Sequence, residues 1–230
     1  PDCLDGLVDS GFDVVSLANN HILDLGLEGL QHTVNNLKKA KIAAIGLSDS
    51  EKPQLPIIIE RKGIKVGYLA YADHKNKYAY AKEFLSYPVK PAKAIKSAIK
   101  RDIESLKRKV DLIVVSMHWG NEYKPATKRQ KELGRFLVDS GADIVAGHHP
   151  HIQQDAVWYK DKLIIYSMGN FVFDQYTRAG TRVSRLYKVS ADKGGIKAAS
   201  YLPLEIMFND YLITPQSKKF ISVFNCKCSQ

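Results

Sequence analysis

The sequence predicts an α/β fold, and two features of the chain indicate it. Short apolar runs, such as residues 110–117, alternate with amphipathic segments of helical period over most of the chain. Apolar runs of this kind are typical of strands that a parallel sheet buries on both faces. Near the C-terminus, residues 184–210 alternate apolar and polar around the turn sequence at 192–195. The sequence therefore predicts helix-linked strands followed by antiparallel β-hairpins.

Each element is predicted from its local pattern. Helices are expected over residues 1–10, 25–40, 91–109 and 125–139. Pro91 and Pro125 are expected in the first turns of the last two helices, where proline is tolerated. Strands are expected over residues 11–18, 42–45, 57–60, 64–71, 110–117, 142–146, 156–159 and 163–166. Residues 73–90 have no clear period and are expected to form a long surface excursion. No Pro/Gly/Ser-rich linker interrupts the chain, so residues 1–230 are predicted to form one domain.

Composition limits the classes of function. The 230 residues are 45% hydrophobic, and no apolar run approaches the roughly 20 residues needed to span a bilayer. The formal charge of +10 suggests an acidic partner, although by itself a solvated basic surface is the safer interpretation. No nucleic-acid-binding motif accompanies the lysines, so nucleic acid is not an expected partner. Cys226 and Cys228 form a C-x-C that is too short for a zinc site, and cysteine usage does not fix the compartment.

Three of the strand-like runs share one pattern. Each begins with an aspartate, at position 13, 111 or 143, and each ends in histidine. Ligands of open α/β sheets bind beyond the carboxyl ends of parallel strands. If the three strands are parallel neighbours, five of the seven histidines meet at one edge: His21, His118, His148, His149 and His151. His32 and His74 fall outside the pattern.

These residue types indicate a metal site. Nitrogen and oxygen ligands without thiolates suit zinc, manganese, iron or another divalent ion. His118, His149 and His151 are the preferred ligands, and Asn20 could contribute its amide oxygen. His21 could donate a proton to a leaving group, although a loop histidine bonded to backbone is the alternative. No G-x-S-x-G nucleophile elbow is present, which argues against serine–histidine catalysis.

Six further residues near these loops each have two interpretations: His148, Trp119, Glu122, Tyr123, Asn170 and Asp174. His148 either binds the ion or supports its neighbour, because adjacent side chains diverge. The two aromatic residues either pack in the core or form a wall of the substrate pocket. The glutamate either orients a histidine or is only solvated. The last two residues either form turns or take part in binding.

Four segments of the chain carry specific motifs: GFDVVSLANNH at 11–21, HWGNEY at 118–123, GHHPH at 147–151 and YSMGNFVFD at 166–174. These segments resemble the bacterial capsule-synthesis CapA family, the poly-γ-glutamate biosynthesis proteins. That family is in turn similar to the calcineurin-like metallophosphoesterases, whose fold is a layered α/β sandwich. The resemblance implies that Asn20, His118, His149 and His151 bind metal and that His21 is the general acid.

One departure from the resemblance concerns the carboxylate ligands. Both families begin with a strand that ends in Gly-Asp, and that aspartate binds metal. Nothing before Gly11 matches this strand, so the fold is expected to lack it. Two explanations stay open: either residues upstream of the given chain supply the strand, or the site is weakened or holds a single metal ion. Asp24 lies close to His21 in sequence, but nothing in the sequence indicates that it replaces the missing ligand.

The resemblance permits two functions. The first is metal-dependent hydrolysis or transfer on an anionic polymer such as poly-γ-glutamate, or on its precursor. The second is a non-catalytic accessory protein that binds the polymer and supports a membrane-bound synthase. The resemblance also implies a location on the outer face of the cytoplasmic membrane or at the cell surface.

Overall fold

The computed structural model describes residues 2–48, 54–73, 90–175, 178–207 and 213–223. Within these residues there are four α-helices: α1 Asp2–Asp9, α2 Gly26–Lys39, α3 Lys96–Lys107 and α4 Lys128–Ser140. A short 3₁₀ helix covers Ala179–Thr181. None of the helices in this described part is long and apolar enough to cross a bilayer.

Fourteen strands are present in the described ranges. In the N-terminal half they are β1 Val14–Ser16, β2 Ala43–Ile45, β3 Leu47–Ser48, β4 Ile57–Arg61, β5 Ile64–Ala72, β6 Lys90–Pro91 and β7 Leu112–His118. In the C-terminal half they are β8 Ile144–His148, β9 Ala156–Tyr159, β10 Lys162–Ile165, β11 Val183–Asp192, β12 Gly195–Ile206, β13 Ile213–Pro215 and β14 Ile221–Ser222. The predicted hairpins β4–β5, β9–β10 and β11–β12 are all present.

A six-stranded sheet forms the centre of the molecule, in the order β4-β5-β7-β8-β10-β9. Its four middle strands are parallel, and its two edge strands are antiparallel to their neighbours. Strands β1 and β2 form a separate parallel pair, and β3 pairs antiparallel with β6. A further antiparallel sheet joins β11 to β12, with β13 and β14 added to β12.

Alternation along the central strands sends side chains into different layers. On β7, Ile113, Val115 and Met117 point into a core shared with buried residues of α3 and α4. The opposite face of the sheet packs against β1 and β2 near β5, and against β11 and β12 near β10. Helix α2 covers the outer side of β1 and β2. The mixed α/β architecture in layers is the one that the sequence predicts.

Two predicted helix boundaries are wrong. Pro91 does not begin a helix, because it lies in β6 opposite Leu47, and α3 begins at Lys96. Pro125 also precedes its helix. The hydroxyl of Thr127 accepts the backbone N–H of Gln130, and the Gln130 side chain accepts the N–H of Thr127. This capping box places the start of α4 at Lys128.

Two of the three aspartates that introduce the histidine strands hold neighbouring strands in register. Asp111 Oδ2 accepts the backbone N–H of Lys65 at 2.7 Å, and Asp143 Oδ2 accepts that of Ile113 at 2.7 Å. Asp13 instead forms an exposed pair with Arg61 at 3.2 Å. The recurring aspartates are therefore structural residues at the amino ends of the strands, whereas the histidines lie at the carboxyl ends.

The prediction that the three histidine strands are neighbours in one sheet is wrong for the first of them. β7 and β8 are adjacent, but β1 pairs only with β2 among the described strands. β1 lies instead in the layer above the central sheet. The expected excursion over residues 73–90 falls almost entirely outside the described residues.

Candidate functional site

All five histidines from the three strand ends line one cleft. The cleft measures about 380 Å³ and lies beyond the carboxyl ends of β7 and β8. His118 and His148 end these two strands and are direct partners across them. His21 reaches the same cleft from the layer above, and Asn170 from the loop after β10. The separate location of β1 therefore does not separate His21 from the other four rings.

His148 is fixed by contacts of both ring nitrogens. Its Nδ1 lies 3.1 Å from Nδ1 of His118, and its Nε2 lies 3.1 Å from Oγ of Ser116. Burial among protein atoms lowers the pKa of His148 to about 4, because the charged ring would lose its hydration. The ring is therefore neutral at pH 7. With both nitrogens engaged, His148 supports His118 rather than offering a free nitrogen of its own.

The contact between the two rings can also set the tautomer of His118. Only one hydrogen can lie between the two Nδ1 atoms. If His118 donates it, Nε2 of His118 keeps a lone pair, and His148 donates its own Nε2–H to Ser116. A metal-binding histidine commonly donates its second ring N–H in this way. The Ser116–His148–His118 series thus has the form of a support for a metal ligand.

The segment after β8 brings two more imidazoles into the cleft in unusual backbone conformations. His149 has φ 101° and His151 has φ 60°, both in the region that favours glycine. Strain of this type persists only where the surrounding structure imposes it, and it is common at functional sites. Gly147 precedes them in a position closed to any side chain, because an added Cβ would lie 2.1 Å from the carbonyl oxygen of Tyr166.

His151 is oriented by Asn170. The Asn170 amide donates to the carbonyl of Thr181 at 3.0 Å, which identifies its Oδ1 as the acceptor for His151. Nδ1 of His151 donates to that oxygen at 2.9 Å, so Nε2 is left as the nitrogen that can bind an ion. Asn170 therefore contacts His151 and fixes the orientation of its ring.

A carboxylate joins the two histidines of this loop. Glu122, His149 and His151 each offer one ligand atom, and the three atoms lie within 4.8 Å of one another. Tyr123 follows the glutamate with φ 59°, and its N–H donates to the carbonyl of Pro150 at 2.9 Å. This bond ties the loop after β7 to the loop after β8. Glu122 was not predicted as a ligand, and only this tertiary contact reveals it.

Asn20 and His21 follow β1. The Asn20 side-chain oxygen is buried and accepts no hydrogen bond from the described residues. A buried acceptor without a donor is costly, and a bound cation would satisfy it. His21 is exposed, and its Nδ1 lies 2.7 Å from Oδ2 of Asp24. Asp24 was also not predicted as a site residue, although its i,i+3 spacing from His21 suits a turn. It orients the His21 ring instead of joining the metal-ligand cluster.

Three residues of interest lie elsewhere. Trp119 is fully buried in the core beneath the helices, and its N–H donates to the carbonyl of Tyr166 at 2.8 Å, so its role is packing. Asp174 is exposed and is not among the residues that line the cleft. His32 is exposed on α2, as expected for a histidine outside the pattern. Tyr123, in contrast, stacks on His151 with ring centroids 5.9 Å apart.

The donor set fits a divalent ion. It consists of imidazole nitrogens of His149 and His151 and a carboxylate oxygen of Glu122, without thiolates. Asn20 and Glu122 are not among the residues that line the cleft, although the amide oxygen of Asn20 is buried. Two histidines and one carboxylate form a set that zinc, iron and manganese sites use.

Known proteins resemble this chain over most of its length. Capsule biosynthesis protein CapA of Bacillus anthracis is 36% identical over 204 residues, covering 86% of this chain and 49% of that protein. PGA biosynthesis protein CapA of Bacillus subtilis is 35% identical over 209 residues, covering 87% and 52%. A probable polyglutamine synthesis accessory protein of Mycobacterium tuberculosis is 28% identical over 226 residues, covering 90% and 59%. The chain thus spans about half the length of the curated relatives it matches.

A solved structure supports the fold. A Staphylococcus aureus protein described as a candidate 5′-nucleotidase, crystallised with alpha-ketoglutarate, superposes with a TM-score of 0.58. The match covers 87% of this chain and 39% of that protein at 15% identity, which is evidence about the fold alone. It confirms the predicted layered α/β fold.

The family follows from a match to one family model. The model of the bacterial capsule synthesis protein PGA_cap matches residues 1–175, which include all the histidine loops of the cleft. The chain therefore belongs to the bacterial capsule synthesis protein family PGA_cap.

Proposed function

We propose that the cleft holds a divalent metal ion and acts in capsule or poly-glutamate synthesis by hydrolysis or transfer on an anionic polymer or its precursor. The observation that carries this proposal is the convergence of Glu122, His149 and His151, whose ligand atoms lie within 4.8 Å of one another. Membership of the capsule synthesis family supplies the biological role. The chain's charge of +10 suits an anionic substrate.

Five residues would hold the ion. Glu122, His149 and His151 form the compact set, with His118 and Asn20 as the further ligands expected from the family resemblance. The ring of His118 lies 4.4 Å from that of His149, measured between centroids, which keeps it close to the set. A bound manganese, zinc or iron ion would supply Lewis acidity and neutralise negative charge on the reacting group.

His21 is the proposed general acid. Its Nδ1 is engaged by Asp24, so Nε2 is the nitrogen available to donate a proton to a leaving group. The Asp24 carboxylate beside Nδ1 holds the ring in one orientation. The exposure of His21 at the cleft mouth suits a residue that exchanges protons with solvent.

A second function is a non-catalytic accessory role. One relative is named as a polyglutamine synthesis accessory protein, and the basic charge would also suit polymer binding without chemistry. In this role the protein would bind the anionic polymer and support a membrane-bound synthase. For either function we propose the outer face of the cytoplasmic membrane or the cell surface as the location.

The test combines metal analysis with hydrolysis assays. We expect purified protein to retain or take up manganese, zinc or iron, and Glu122→Gln to weaken that binding. We expect His21→Ala to keep the metal but to lose at least about tenfold in the rate of polymer or phosphodiester cleavage. His32→Ala, an exposed histidine on α2, is the matched control and should change neither quantity.

The outcomes separate the two functions. Metal binding together with a rate that depends on His21 supports the enzyme. Polymer binding that is equal in wild type and in His118→Ala and His149→Ala, without metal or cleavage, supports the accessory role and contradicts the enzyme.

A further inference from the structure

An apolar segment borders the histidine cleft. Phe171, Val172 and Phe173 are consecutive and exposed, and all three line the cleft. Val172 is 75% exposed and Phe173 is 42% exposed. Three successive exposed apolar residues are unfavourable in water and are expected only where they serve binding. A purely ionic site would not need them.

The base of this segment is fixed. Asn170 immediately before it is buried and bonded to both Thr181 and His151. Gly169 has φ 82°, and any side chain there would meet the carbonyl of Val183 at 2.7 Å. The exposed residues therefore extend from an anchored turn. The ring of Phe173 lies 5.1 Å from that of His151, so the apolar surface reaches the metal-ligand cluster.

A cation is held next to Tyr123, whose ring contacts His151. The ring of Tyr123 stacks on His151, and the guanidinium of Arg178 lies 4.2 Å from the centroid of the Tyr123 ring. Gln175 donates to the Tyr123 hydroxyl and holds that ring in place. Arg178 is exposed and forms no ion pair with a carboxylate among the described residues. Its charge is thus available to an anionic ligand.

We propose that Phe173 and Arg178 determine specificity for a polycarboxylate chain, whose methylene groups pack on the apolar segment while a carboxylate pairs with Arg178. The inference rests on the proposed function, because it assigns the substrate class of the same cleft. It follows from two adjacent features of opposite character: an apolar surface that continues into the cleft, and an uncompensated cation beside it. Polyphosphate could satisfy the cation but has no C–H groups to cover the apolar surface.

The two contacts are distinguishable by salt. A carboxylate–guanidinium contact at an exposed position weakens as ionic strength rises, whereas apolar packing does not. Removal of Arg178 should therefore reduce the salt dependence of polymer binding. Removal of Phe173 should lower the affinity at every salt concentration with the same slope. If the two substitutions only disturbed the local fold, their effects on the salt dependence of binding would not differ in this way.

The experiment measures binding of fluorescent poly-γ-glutamate oligomers and of polyphosphate of similar charge to the whole chain, at several salt concentrations. It is performed with EDTA and repeated with added manganese. The variants are Phe173→Ser and Arg178→Ala. A second aromatic–cation pair supplies matched controls: Phe220 is also 42% exposed, and Lys188 lies over its ring at 5.6 Å. The controls are Phe220→Ser and Lys188→Ala.

We expect wild type to prefer poly-γ-glutamate, and each cleft variant to weaken that binding about tenfold, or roughly 1.4 kcal/mol. Phe173→Ser should also lose the preference over polyphosphate. Equal binding by cleft and control variants, or no binding by wild type, would overturn the proposal. Metal content measured on the same samples separates this result from failure of the proposed metal function.

Discussion

Both ends of the central parallel strands carry ionisable side chains, but the surroundings of these side chains differ between the two ends. At the amino ends, Asp143 accepts the N–H of Ile113 and pairs with Lys162, and Asp111 accepts the N–H of Lys65. The cavity at this end, about 460 Å³, is larger than the histidine cleft of about 380 Å³. Its carboxylates nevertheless have partners within the protein.

The carboxyl ends of the same strands differ from the amino ends, because they carry features that cost free energy. There the backbone is strained at His149, and Val172 is exposed beside the cleft. In the layer above, after β1, the buried oxygen of Asn20 accepts no hydrogen bond from the described residues. The comparison teaches that cavity size does not identify a functional site. Unsatisfied polar atoms, strain and exposed apolar surface are better indicators, because each costs free energy that folding alone does not recover.

The largest expected effect is at the carboxyl ends. His151→Ala removes one of three convergent ligands, and we expect metal affinity to fall more than about 100-fold, since even a residue that only supports a ligand contributes about 10- to 100-fold. The free energy of unfolding of the metal-free protein should change little. Titration with manganese or zinc, followed by calorimetry, measures the affinity. Unchanged affinity would exclude His151 as a ligand.

The next largest effect is expected at Asn170, which orients the His151 ring. Asn170→Ala removes the acceptor for Nδ1 of His151, and we expect metal affinity to fall about 10- to 100-fold. Asn170→Asp keeps the acceptor oxygen for His151 but loses the donor to the Thr181 carbonyl, so it should bind metal more tightly than Asn170→Ala and more weakly than wild type. Asn35, an exposed hydrogen-bonded asparagine on α2, provides the control Asn35→Ala. If Asn170→Asp binds metal as weakly as Asn170→Ala, the orienting role is wrong.

At the amino ends, we expect a substitution to lower the stability of the protein without lowering its metal affinity. Asp143→Ala leaves the N–H of Ile113 and the ammonium of Lys162 without their carboxylate. We expect the free energy of unfolding to fall by about 1–3 kcal/mol, measured by urea denaturation, with metal affinity unchanged. The exposed pair of Asp192 and Lys197 is the control, and Asp192→Ala should lower the free energy of unfolding much less than Asp143→Ala. A metal-binding defect in Asp143→Ala would erase the contrast between the two ends.

The smallest effect is on the stability of the apolar segment. Val172→Ser should change the free energy of unfolding by no more than about 0.5 kcal/mol, because most of this side chain is already in water. Val145→Ser in the fully buried core of β8 should instead cost about 2 kcal/mol or more. Thermal denaturation of both variants gives the comparison. A large loss in Val172→Ser would mean that the segment is structural.

Local sequence patterns predicted most of the elements correctly. The apolar runs of β7 and β8, the period of α2 and the turn between β11 and β12 all depend on residues close together in the chain. The starts of α3 and α4 differ from the prediction, because neither Pro91 nor Pro125 lies in the first turn of its helix. A capping box at Thr127 determines the start of α4 instead.

The site was predicted in its residue types and only partly in its arrangement. The histidines after three strands could be recognised because each motif is contiguous. Glu122 and Asp24 could not be assigned, because a glutamate after a strand and an aspartate in a turn are ordinary surface residues until a partner lies beside them. The burial of Trp119 on the helix side of the sheet follows from strand alternation and was also left open.

The sequence by itself determined which segments are helices and strands and where the imidazoles lie at strand ends, since periodicity and turn chemistry are local properties. Only the tertiary structure decided that β1 lies outside the central sheet and that Glu122 joins His149 and His151. These facts depend on packing between segments far apart in the chain. The interactions that fix them become visible only when the layers are assembled.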